Sequence, residues 1–298
     1  MPASTRATQR RRRRLRAAAT GLTNSIDSFS WTKDQYPGRV GLLIEGDSWF
    51  AFLKVWLVYG AAANAITSIF SRLAPTRSVI GLCRASNSDT ADDIMDGKQL
   101  DKTRSLLKRH GSRFDLCLLS AGGNDVIGEG RLGPLLNDHP SGSSASGWIN
   151  EHAFKTKLDD LEADYRRFLI VRDQLAPNMV VIAHSYDIIK PTNKATEILW
   201  GVEVVGPWIM PELSSRKVPP ALHIPIVGIL LSNFRERLEK LQLQTQNFFV
   251  ADTQGTLTPG KAADWKDEIH PTPKGFEKIA DKIYAEARAR VPQLPAMP

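Results

Sequence analysis

The sequence predicts an α/β protein built on a mostly parallel sheet with helices on both faces. Two observations predict it: short, continuously apolar runs recur along the chain, and segments with helical periodicity separate them. Strands joined through helices need crossover connections, which parallel pairing requires and which bury both sheet faces. No internal repeat is present.

The first strand is "VGLLIE" (40–45), an apolar run that stops at Gly46. The apolar stretch Trp49–Phe70 is long enough to raise a membrane helix. It carries Lys54 and Asn64, however, and Ile66, Ile69, Phe70 and Leu73 recur at i, i+3, i+4 and i+7, as in an amphipathic helix. "SVIGLC" (78–83) and "FDLCLLSA" (114–121) read as the next strands. "LLNDHPSGSSASGW" (135–148) is Ser/Gly-rich and reads as a surface loop. In "KLDDLEADYRRFLIV" the residues Leu158, Leu161, Tyr165, Phe168 and Leu169 share one helical face. "NMVVIAHS" (178–185) is the fourth strand. Residues 189–225 are proline-rich, hold Trp200 and Trp208, and are long for a plain connection. They read as an insertion, either a cap over an apolar pocket or a structural excursion. The helix "NFRERLEKLQ", the fifth strand "NFFVAD" (247–252) and the helix "GFEKIADKIYAEA" complete the alternation.

The net charge of +7 is concentrated at one end. The first sixteen residues hold seven arginines and no acid, so the remainder sums to zero. A basic stripe across a folded domain, as in a nucleic-acid binder, is therefore not expected. Residues 1–37 read as a disordered basic tail and lead-in, because like charges repel, and 38–298 as one domain. The tail, Arg10 to Arg16 above all, is a candidate for weak contact with anionic lipid or nucleic acid. The small, polar residues after it make neither a secretory signal nor a twin-arginine signal, so cytoplasm is the default compartment. Cys83 and Cys117 lie in apolar runs and read as small core residues. No metal-ligand cluster or phosphate-cradling glycine loop is evident, and no cofactor is expected.

In an open parallel sheet, ligands bind beyond the carboxyl ends of the strands. Gly46-Asp47-Ser48 ends the first strand, Asn124 and Asp125 follow the third, and Asp267 and His270 follow the last. A hydroxyl, an amide and a carboxylate–imidazole pair at one rim are the parts that acyl transfer needs. The hydroxyl is a poor nucleophile until a base takes its proton, and imidazole is suited to that near neutrality. A carboxylate on the far ring nitrogen fixes the tautomer, and pre-aimed donors stabilise the oxyanion. Asp267-x-x-His270 brings acid and base from one turn, and Pro271 keeps His270 extended. Asp138–His139 is a decoy inside the surface loop.

"EGDSWF", "GGND" and "DEIHPTPKGF" together resemble the first, third and fifth blocks of the SGNH hydrolases, the GDSL-type esterases and lipases, over about residues 38–290. The resemblance implies a three-layer α/β/α sandwich with a five-stranded parallel sheet, of flavodoxin-like type. It also implies a serine esterase or lipase using Ser48 as nucleophile, His270 as base and Asp267 as its orienting acid. The implied oxyanion hole combines the backbone N–H of Ser48, the side chain of Asn124 and a second-block N–H. "RASNSDTADD" departs from the family pattern by placing Ser88 where relatives commonly have glycine. If that site needs positive φ, serine meets a steric penalty that glycine avoids. The same resemblance leaves carbohydrate O-acetyl esters and thioesters open as substrates. A catalytically impaired binding protein, tethered by its arginine tail, is the alternative of another class.

Overall fold

The chain alternates strand and helix as its hydrophobic pattern requires. A computed structural model describes residues 3–51, 64–197 and 204–297. Part of the apolar run, 52–63, and residues 198–203 of the insertion lie outside the described residues. The strands are β1 (Leu22–Thr23), β2 (Val40–Gly46), β3 (Val79–Cys83), β4 (Leu116–Ser120), β5 (Val180–His184), β6 (Thr196–Glu197), β7 (Val204–Val205) and β8 (Phe248–Ala251). Six of them form one sheet in the order β1-β3-β2-β4-β5-β8, with every neighbouring pair parallel. The five strands read from the sequence are all present. The sixth, β1, spans two residues, too short to register as an apolar run.

Alternation along β2 assigns the layers. Thr103, on the helix Gly97–His110, donates to Glu45, and Phe29, on the helix Ile26–Gln35, packs beside Gly41 on that same face. The helix Ala65–Leu73 covers the other face, with Phe70 against Gly81 near Ile44, and packs on the C-terminal helix Pro273–Arg290. The result is a three-layer α/β/α sandwich around a sheet whose β2 to β5 are buried throughout. Cys83 and Cys117 are buried thiols inside this core, not joined in a disulfide. Among the described residues, no helix is long and apolar enough to cross a membrane.

Two expectations are corrected. Residues 3–37 are not a disordered arm: Ala3–Thr20 is helical, β1 joins the sheet, and Ile26–Gln35 follows as a capped helix. Asp27 relieves the expected repulsion by accepting hydrogen bonds from Arg10 and Arg14, which hold its carboxyl below the usual carboxylate range. Ala17 and Ala18 are buried, and the buried Arg39 guanidinium donates to the Ala18 carbonyl at 2.7 Å. The boundary of the insertion at 225 also falls inside a helix, since Pro220–Gln242 is continuous. Its prolines read as breakers, but Pro220 occupies the first helical position, where its fixed φ suits the turn and its missing N–H costs nothing.

The long helix Glu151–Leu175 is fastened to the sheet by a charge. Arg172 is wholly buried, and its guanidinium donates to the carbonyls of Met179 (2.8 Å), Asn247 (2.8 Å) and Gln246 (2.7 Å) ahead of β5 and β8. Arg172→Met keeps the volume but leaves these acceptors short of donors. The expected loss in urea unfolding is about 2–3 kcal/mol; a loss within error of zero would contradict this role.

Candidate active site

The site begins where β2 stops. Gly46 has φ 153°, and a Cβ there would lie 2.7 Å from both the Cβ and the carbonyl oxygen of Ser120. Only glycine lets β2 end so close to β4. Asp47 N–H donates to the Ser120 carbonyl (3.0 Å), and the Asp47 carbonyl accepts from Phe50 (3.0 Å) and Ala51 (2.8 Å). These bonds close a helical turn that carries Ser48 on its outer side.

The Asp47 side chain is buried under that turn. Its Oδ1 accepts from Trp49 N–H (3.0 Å) and Ser120 Oγ (2.7 Å), and its Oδ2 from the Tyr186 hydroxyl. Burial raises this carboxyl to about 6, while the hydrogen bonds and the His270 side of the site pull it back down. Beneath lies His184, also buried. Tyr186 N–H donates to its Nδ1 at 3.2 Å, so the proton sits on Nε2 and is donated to Ser120 Oγ at 2.8 Å. Ser120 is thereby left with its own hydrogen for Asp47. Burial pushes the His184 imidazole down to about 3.

The chain end of the site converges on the same rim. Ser48 Oγ lies 2.9 Å from His270 Nε2, and His270 Nδ1 lies 3.0 Å from both Asp267 oxygens. With the carboxylate facing Nδ1, that nitrogen carries the proton and Nε2 offers its lone pair to the hydroxyl. Asp267 Oδ1 also accepts from the backbones of Ile269 (3.0 Å) and His270 (2.7 Å), which locks the turn around the pair. Asp267 is nearly inaccessible and His270 partly open, as a buried acid beside a substrate-facing base would be.

The second and third blocks meet beside this triad. Asn124 Nδ2 donates to the Asp89 carbonyl at 2.9 Å, and Asp125 Oδ2 accepts from Ala91 N–H at 2.8 Å. Together they clamp the Ser88–Thr90 loop. Ser88 has φ 65°, the left-handed region that glycine occupies freely, so the strain foreseen for a serine here is present. Ser48, Asp267 and His270 are directly joined. Asn124 and Ser88 are joined to one another only through Asp89. Asp138 and His139 are exposed on their loop, with Asp138 paired to Arg216.

Several positioning residues escape a sequence reading. Glu268, between acid and base, is buried and accepts from the N–H groups of Thr192 (3.1 Å), Trp208, Ile209 (2.8 Å) and Met210 (2.9 Å). Burial raises its carboxyl against those bonds. It ties the insertion to the Asp267–His270 turn, and Trp208 stands edge-on to His270 with centroids 5.4 Å apart. Their signal was faint: "HSYD" (184–187) and Glu268 are polar residues at strand ends or beside the motif, and nothing local marks them as buried.

No family model and no curated protein matches the sequence. The structure is similar to a lipase from a goat rumen metagenome, with TM-score 0.52 and 14% identity over 83% of this chain and 96% of that one. The chain shares the α/β/α fold of that lipase. Also similar are an extracellular lipase from Streptomyces rimosus (TM-score 0.48, 13% identity, 83% and 99% covered) and a family 3 carbohydrate esterase from Talaromyces cellulolyticus (0.47, 13%, 86% and 100%). The strand-end turn at Ser48 and the loop at His270 occupy the rim where open parallel sheets bind ligands.

The His184 pocket makes a pH prediction. Unfolding frees an imidazole that binds a proton near pH 6.5, whereas the folded one resists protonation down to about 3. Its contribution to stability is therefore intact above pH 6.5 and declines as pH falls toward 3. His184→Phe removes this proton uptake. The stability gap between the parent and His184→Phe should narrow by up to about 1.4 kcal/mol per pH unit below 6.5. Parallel urea titrations at several pH values check it; a constant gap would refute it.

Proposed function

We propose that the protein is a metal-independent serine ester hydrolase that cleaves a carboxylic ester through an acyl-enzyme. The observation that carries this reading is the continuous chain from Ser48 Oγ through His270 to Asp267, with contacts of 2.9 and 3.0 Å. Ser48 attacks the ester carbonyl while His270 Nε2 takes its proton. Asp267 holds the Nδ1 tautomer and stabilises the imidazolium. The carbonyl oxygen becomes an oxyanion facing the N–H groups of Ser48 and Ser88 and the Asn124 amide. One Asn124 N–H is engaged with Asp89, leaving the other for the substrate. His270 then protonates the departing alcohol. In the second half it takes a proton from water, whose oxygen attacks the acyl carbon and releases the acid and Ser48.

Trp208 beside His270 gives the pocket an apolar wall from the insertion, which favours an apolar acyl or aryl group over a bare acetyl. A rate series over acyl chain length tests this, and a sharp optimum at acetate would favour a carbohydrate O-acetyl esterase instead.

Ser48→Ala should lower kcat/KM on p-nitrophenyl esters by at least about 1,000-fold with nearly unchanged thermal stability. Comparable turnover in that variant would sink the proposal. For the oxyanion hole, Asn124→Ala should lower kcat by about 100-fold or more. Ser88→Gly retains the N–H and relieves the left-handed strain, so kcat should stay within a few-fold of the parent.

A further inference from the structure

The charge that biases the whole chain lies on one ordered helix. Seven arginines fall between Arg6 and Arg16, and residues 17–298 sum to zero. The helix Ala3–Thr20 is anchored on one side through the Asp27 pair with Arg10 and Arg14 and through buried Ala17 and Ala18. Arg14 also lies over the Trp31 ring, 5.9 Å from its centroid. The other side faces solvent. Arg11 and Arg12 are exposed there, with no carboxylate partner among the described residues. Leu15 stands among them with 51% of its surface exposed. Arg11 and Arg12 are one turn from Leu15, so cations flank an apolar side chain on one helical face.

The topology places this face relative to the catalytic rim. Thr20 leads through Gly21 into the amino end of β1, so the alanine end of the helix lies low on the sheet. Asp27 opens the helix that leaves the carboxyl end of β1, and it is this residue that holds Arg10 and Arg14. The arginine half therefore lies toward the carboxyl ends of the strands, where Ser48 follows β2. Only β3 separates β1 from β2 in the sheet, a lateral offset of about 10 Å between the two strands.

We propose that the arginine helix is a docking surface for an anionic lipid bilayer and that it brings the Ser48 rim to that surface. Phosphate-bearing headgroups satisfy the arginines, and Leu15 enters the interface. The exposed leucine favours a bilayer over a nucleic-acid backbone, which offers phosphates but no apolar layer beside them. That the docked rim then cleaves an ester in the membrane rests on the esterase reading; the docking itself does not.

The test is co-sedimentation of the full chain with phosphatidylcholine vesicles, with and without phosphatidylglycerol, over a salt series. The parent and Ser48→Ala should both bind the anionic vesicles, weakly bind the neutral ones, and release as salt rises. The double variant Arg11→Gln, Arg12→Gln leaves the Asp27 pair intact and should lose affinity on the order of 30-fold. Leu15→Ser should lose about tenfold. Both should keep the parent's melting temperature and its turnover of soluble esters. Equal binding to neutral and anionic vesicles, or unchanged affinity in the double variant, would overturn the proposal. So would binding to duplex RNA under conditions where vesicles are ignored. If vesicle binding follows the arginines while the parent hydrolyses no ester, the docking surface stands and the esterase reading falls.

Discussion

A parallel strand that ends at the rim of the sheet loses its backbone ladder at the point where Ser48 must be held. The protein meets this constraint with a buried carboxylate. Asp47 takes hydrogens from Trp49, Ser120 and Tyr186, so the turn bearing Ser48 is fastened to its own next residue, to β4 and to the segment after β5. A carboxylate can do this because it accepts several hydrogen bonds at once. The cost is desolvation, which leaves its proton affinity raised even with those bonds in place. His184 completes the arrangement as a neutral donor to Ser120, since a cationic imidazole at that depth would be strongly disfavoured.

The same device recurs around the rim. Asp187 accepts from Ile188 (2.7 Å), Gly255 (2.8 Å) and Leu257 (2.6 Å), gathering the chain that leaves β8. Glu268 accepts from four N–H groups of the insertion. Asp267 does so within its own turn while facing His270. Irregular backbone at the carboxyl ends has no neighbouring strand to satisfy it, and buried carboxylates supply the missing acceptors. Glu268 has the further consequence that the insertion and His270 share one rigid turn. Trp208 is thus placed beside His270 by these backbone hydrogen bonds together with its own packing against the core.

At the opposite edge, charge and fold are coupled differently. The arginine block would repel itself in isolation, yet one acid, Asp27, and two buried alanines suffice to seat it as a helix. Arg11 and Arg12 stay exposed, with no carboxylate partner among the described residues.

The sequence by itself determined the strand–helix alternation, the five longer strands and the set of groups at their carboxyl ends. Those features are local: apolar runs, helical periodicity and short motifs such as Gly46-Asp47-Ser48 and Asp267-x-x-His270 carry them without long-range information. Only the tertiary structure decided that Ser48 and His270, 222 residues apart, meet at 2.9 Å, that Ser88 takes a left-handed φ, and that β1 joins the sheet. It also decided the burial of His184, Tyr186 and Glu268 and the seating of the arginine helix on Asp27. The physical reason is that burial and hydrogen-bond partnership belong to pairs of segments distant in the chain. A polar residue that will be enclosed reads, in one dimension, like one that will be solvated.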